Sequence, residues 1–210
     1  MTEFILAKHN SFKEKSEFEI LIHFEDFLKT FSKKVNDDIN EAFALCKMFI
    51  SDNLLSEWIM PNIIQLLILR MEASCKPAEK EYSLVLLNII SEKYPLQIRN
   101  SLSDLVPAVS NLFWDTKIVV QKLAKKLLGN IIKCSGNKDL DPFLPVVLST
   151  FEDPSTTGIA IEKLAGCVFV QNVECAAITI IEPILIRGLK DKTNEVKRKS
   201  CVIIDNMCKL

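Results

Sequence analysis

The residues in this 210-residue chain best suited to chemistry are bases gathered in blocks. Six lysines (117, 122, 125, 126, 133 and 138) lie between Lys117 and Lys138 without an acid, and six bases lie between Arg187 and Lys199 against Asp191 and Glu195. The segment between them, Asp139 to Glu182, holds seven acids and one lysine. The formal charge of −1 therefore hides blocks of opposite sign, which bear on partners more than the net value does.

Other reactive groups are sparse. The seven cysteines (Cys46, Cys75, Cys134, Cys167, Cys175, Cys201, Cys208) form no CxxC pair, and His9 and His23 are the only histidines. Most of these cysteines fall at apolar positions of helical patterns, where the thiol is expected to act as a small core group. A reducing, cytosolic home follows as an expectation. No GxxxxGK[ST] loop is present to cradle phosphates. The carboxylates are plentiful, but no pair stands apart from capping and solvated roles. The reading is a non-enzyme with no catalytic, cofactor-binding or metal site.

The elements that must position the basic blocks are helices in a repeat. A proline followed eight residues later by an aspartate recurs at Pro107/Asp115, Pro145/Asp153 and Pro183/Asp191, each pair 38 residues after the last. Helical rather than alternating hydrophobicity fills the period, as in Ile178, Ile181, Leu185 and Leu189. A repeat of that length implies helix pairs stacked in a solenoid. The expected array is all-α with about five pairs, in approximate units 16–50, 55–93, 98–134, 137–173 and 175–210, after an unassigned leader at 1–15. The proline is expected at a tolerated kink or in an early turn of each first helix. The aspartate is expected to accept bonds from the free N–H groups of the second helix. Asp37 or Asp38 would cap the first unit, and Gly158 and Glu162 suggest a less regular second helix in the fourth. Trp58 and Trp114 are expected between helices.

No stretch approaches the roughly 20 uncharged residues of a membrane-spanning helix. Met1 to Lys15 lacks the continuous apolar region of a secretory signal. Leu210 falls at an apolar helix without the polar outer face of a capping repeat, so either something covers that face or the array continues.

The proline, the aspartate, and Val196 with Lys197 or Arg198 after it resemble HEAT repeats. Arg187-Gly188-Leu189, Val196-Lys197-Arg198-Lys199-Ser200 and Val202-Ile203-Ile204-Asp205-Asn206-Met207-Cys208-Lys209-Leu210 look like the HEAT domain of fungal-type translation elongation factor 3. Phe169-Val170, Val173-Glu174 and Ile181-Glu182-Pro183 agree in kind. The resemblance is good over about Asp139 to Leu210, while Met1 to Leu112 offers little beyond helical periodicity. A related segment in the ribosome-bound activator of the starvation-responsive kinase is the nearest competitor.

In the elongation factor family the HEAT domain precedes two ATP-binding cassettes. The missing phosphate loop means that the ATPase does not carry over. The resemblance implies a non-enzymatic, cytoplasmic, ribosome-associated module acting in translation, as a fragment or a stand-alone relative. The alternative is a generic HEAT protein-binding scaffold. The implied partner is the ribosome, through rRNA phosphates or ribosomal proteins, with no membrane or small-molecule substrate. Lys125, Lys126, Lys190, Lys192, Lys197, Arg198 and Lys199 are the candidate contacts, set against the plainer role of a solvated helix face. Aromatics do not interleave with these bases, which argues against base stacking.

Overall fold

A computed structural model describes residues 57–209 continuously and residues 15, 16, 19, 22, 23, 26, 43, 44, 46–48 and 50 before them. The expected leader and first helix pair, with caps at Asp37 or Asp38, fall almost wholly outside the described residues.

From residue 57 onward the chain is a run of helices: α1 Met60–Leu69, α2 Pro77–Lys93, α3 Pro95–Asn100, α4 Leu102–Asn111, α5 Ile118–Ile131, α6 Leu144–Glu152, α7 Thr157–Leu164, α8 Cys175–Leu189 and α9 Asn194–Cys208. No strand occurs among the described residues, and the all-α solenoid reading holds. The amphipathic pattern explains the stacking. In α5, Val120, Ala124, Leu127, Leu128 and Ile131 are buried at helical spacing, which leaves the lysines outside. That helix packs on α2, in which Leu84, Leu87 and Ile90 are buried, and Asn130 Nδ2 donates to Asn88 Oδ1 across the joint at 2.8 Å. Further on, α7, α8 and α9 pack on one another around Ile161, Ile184 and Ile203, each with no exposed surface.

The three prolines divide between the two expected roles. Pro107 and Pro183 lie inside α4 and α8, whereas Pro145 sits in the first turn of α6, where its missing N–H has no helical acceptor to lose. The α6–α7 pair is short, with α6 of 9 residues and α7 of 8. As a result the 15-residue α8 reaches past α6 and also packs against α4.

Arg187 ties α8 to the end of α6. Its Nη1 donates to the Thr150 carbonyl at 3.1 Å and its Nη2 to Thr150 Oγ1 at 3.3 Å. The Thr150 carbonyl belongs to the last turn of α6, where helix carbonyls lack partners and the dipole is negative. Partial burial pushes the Arg187 guanidinium below its usual pKa. Arg187→Met keeps the apolar stem but removes these bonds. Chemical denaturation should show a loss of about 1.5 kcal/mol.

Two expectations are corrected. Trp58 and Trp114 are 88% and 72% exposed. In the 3-10 turn Leu112–Trp114 the first two side chains take the core-facing directions, which turns the third outward, and Ile59 takes the core position beside Trp58. Of the cysteines, Cys46 and Cys167 are buried, while Cys175, Cys201 and Cys208 are exposed because their helices turn those positions away from the stack. Burial pushes the Cys46 thiol well above its usual pKa, so that position behaves as a core group.

Candidate nucleic-acid interface

The turns between paired helices share one device. Asp115 Oδ1 accepts from the Lys117 N–H at 2.9 Å, Asp153 Oδ1 from Ser155 at 2.9 Å and Asp191 Oδ1 from Thr193 at 2.8 Å. Each aspartate thus bonds two residues ahead in an Asx turn, the local bond for which this side chain has the right length. For α5 and α9 the donors are the N-cap residues Lys117 and Thr193 themselves. The aspartate therefore shapes the entry to the second helix rather than capping its free N–H groups, a refinement of the expected role. All three carboxyls are held below their ordinary pKa: Asp115 chiefly by Lys80, Asp153 by Ser155 and Asp191 by Thr193.

With the entries matched, α5 and α9 start in the same register, and Lys122 and Arg198 stand two periods apart on exposed faces. The candidate bases differ in what they can offer. Lys126, Lys190, Lys192 and Arg198 are exposed, and none has an ion pair among the described residues. Lys197 is half-buried. Lys199 lies between Glu162 at 3.0 Å and Glu195 at 2.9 Å, which neutralise it and raise its pKa. Lys125 is half-buried with its ammonium 5.8 Å from the Phe113 ring centroid, a cation–π arrangement that occupies it internally.

The structure therefore gathers Lys190, Lys192, Lys197 and Arg198 at the turn and start of α9. Lys125 and Lys126 lie on α5, with the acidic α6–α7 pair between the two helices in the chain. Lys122 belongs with the exposed set. Its signal in the sequence was the 76-residue match to Arg198. Such a surface can supply phosphate-binding ammonium and guanidinium groups in two clusters. Among the described residues no group of histidines, cysteines and carboxylates is placed to hold a metal ion, and no helix is long and apolar enough to cross a membrane.

Comparison with known proteins gives this geometry a setting. Residues 2–128 match a family model described as "EF3 N-terminal HEAT repeat", and residues 155–210 match one described as "Elongation factor 3/GNC1 HEAT repeat". The likeness thus extends through the first half, where the sequence had offered little beyond helical periodicity. Among curated proteins the chain is similar to Elongation factor 3 of Pneumocystis carinii, 36% identical over 140 residues that cover 67% of this chain and 13% of that protein. It is likewise similar to Elongation factor 3 of Phytophthora infestans, 36% identical over 149 residues, covering 71% and 14% of the two chains. Elongation factor 3B of Saccharomyces cerevisiae is 33% identical over 152 residues, 72% and 14% respectively. The matched span is thus a small part of these relatives, and both matching models describe HEAT-repeat sequence.

Proposed function

We propose, from the fact that this chain belongs to the elongation factor 3 HEAT-repeat family, that it acts in translation as a cytoplasmic, ribosome-associated HEAT module without catalysis of its own. The observation that carries this reading is the pair of family matches, which take in both ends of the chain. The exposed bases give it a physical means. Lys126 with Lys122 on α5, and Lys190, Lys192 and Arg198 at α9, present charge to rRNA phosphates, and such contacts set position rather than read sequence. Lys125 and Lys199 are secondary in this reading, since each already has an internal partner.

Cosedimentation with purified ribosomes over a range of salt tests the proposal. Neutralising about three phosphates gives a logarithmic salt slope of about −2 to −3. Lys126→Glu combined with Arg198→Glu should flatten that slope and weaken binding about tenfold at low salt, with helix content unchanged by circular dichroism. Absence from the ribosomal pellet at low salt would return the chain to a protein-binding scaffold. Binding that survives complete ribonuclease digestion would move the contact to a ribosomal protein.

A further inference from the structure

A cleft of about 370 Å³ opens between α4 and α8, because the short α6 leaves the two longer helices to meet beyond its end. Its size lies within the roughly 300–1,000 Å³ range of ligand sites. Both helix-interior prolines, Pro107 and Pro183, line it. A proline has no N–H, so the carbonyl four residues earlier loses its helical donor. Those carbonyls belong to Ser103 and Thr179, which line the same cleft, as residues four apart on one helix face should.

The remaining polar groups point the same way. The Ser110 hydroxyl already gives its proton to the Pro107 carbonyl at 3.0 Å, and the Thr179 hydroxyl gives its proton to Cys175 at 2.8 Å, so both can only accept from a ligand. Glu182 adds an exposed carboxylate. Arg187 is the one charged donor in the lining. Its Nη1 and Nη2 each give one N–H to Thr150, which directs the guanidinium to the end of α6, and its Nε is buried without a partner. Ser103, Asn111 and Trp114 in the lining can donate as well, but the exposed charge in it is the Glu182 carboxylate. Trp114 stands at the edge of the cleft, 72% exposed, and offers an indole face. Glu152 and Asp153, both exposed, lie in the chain between Phe151 and Pro154, two of the lining residues.

We propose that this cleft docks a basic peptide segment of a partner protein, which inserts one lysine or arginine side chain between Pro107 and Pro183 against Trp114. The ammonium or guanidinium supplies the donors that the carbonyls and Glu182 lack, and its apolar stem lies along the prolines. The indole face adds a cation–π contact. Glu182, with Glu152 and Asp153 next to lining residues in the chain, suits a run of bases better than one small cation. The site is separate from the basic surface of α5 and α9, and it stands whether or not that surface meets RNA.

The test uses the full chain carrying Trp58→Phe, which leaves Trp114 as the sole tryptophan, titrated with a short alternating arginine–serine peptide. Saturable change in Trp114 emission is expected, with no response to a glutamate–serine peptide. Glu182→Gln should weaken binding about fivefold. Pro107→Ala with Pro183→Ala returns helical donors to the Ser103 and Thr179 carbonyls, and should weaken binding about tenfold while helix content holds or rises. Glu92→Gln, on the exposed side of α2, should leave affinity unchanged. Should the proline variant fail to fold, Glu182→Gln decides alone. Affinity unaffected by Glu182→Gln overturns the proposal, as does an equal Trp114 response to the glutamate peptide or to spermidine.

Discussion

Asp115→Ala should destabilise the protein by about 3 kcal/mol in equilibrium denaturation, more than the same change at either equivalent aspartate. All three aspartates close the same Asx turn, but Asp115 alone also accepts from a buried lysine, with Lys80 Nζ 2.8 Å from its Oδ2. The two side chains are 9% and 8% exposed. Removing the carboxylate strands the Lys80 ammonium in a poorly hydrated joint, and the cost comes from that uncompensated charge rather than from the lost attraction alone. Breaking such pairs typically costs about 3–5 kcal/mol, and the thinness of a two-layer stack holds this one to the lower end. The pair joins the start of α2 to the entry of α5, so its loss should loosen the two units together. Replacing both partners by apolar residues, Lys80→Met with Asp115→Leu, should recover much of the deficit, because no charge is left buried. If Asp115→Ala costs no more than Asp191→Ala, the ion pair is not what sets Asp115 apart.

The same pair gives a pH dependence of definite sign. Lys80 and the turn amide lower the Asp115 pKa in the folded chain. Its contribution is therefore complete above the unfolded value of about 3.9 and is lost as pH falls through the lower folded value. Wild-type stability should fall more steeply than that of the double apolar variant only below about pH 4.

Periodicity made the stack legible before any coordinate. Val109, Val147 and Leu185 lie one period apart and are all buried, as are Ala124 and Ser200 two periods apart. Helical spacing and burial are tied by geometry, so the core could be read directly. What a residue touches across the stack could not. Lys199 and Arg198 are neighbours in the same basic run, yet one is neutralised by Glu162 from another helix and the other is exposed. Trp114 read as core by its chemistry and faces out because Leu112 and Phe113 fill the inward directions. The cleft was invisible for the same reason. The recurring proline was evident, but α8 meeting α4 depends on how short α6 turned out to be.

Gly188→Ala should cost about 1–3 kcal/mol, although alanine is the better helix former by about 1 kcal/mol. A Cβ at Gly188 would fall 1.9 Å from Ile161 Cδ1 and 2.4 Å from Ser200 Oγ, so α7, α8 and α9 meet here with no room for a methyl group. The Ile161 methyl is the end of a rotatable chain, but that side chain has no exposed surface and so no empty space to enter. The Ser200 hydroxyl is held at 2.9 Å to the Val196 carbonyl, and moving it breaks that bond. Relief must come from α7 and α9 both shifting away from α8. Ile161→Ala in the Gly188→Ala background should therefore cost less than Ile161→Ala alone, and a double-mutant cycle reads that coupling directly. In the proposed reading the shift also moves Arg198 on α9 relative to Lys190 at the end of α8. Ribosome binding should then weaken even where most molecules remain folded. A stabilised Gly188→Ala protein with unchanged binding would mean that the three helices have slack at this joint, leaving helix propensity to decide the outcome.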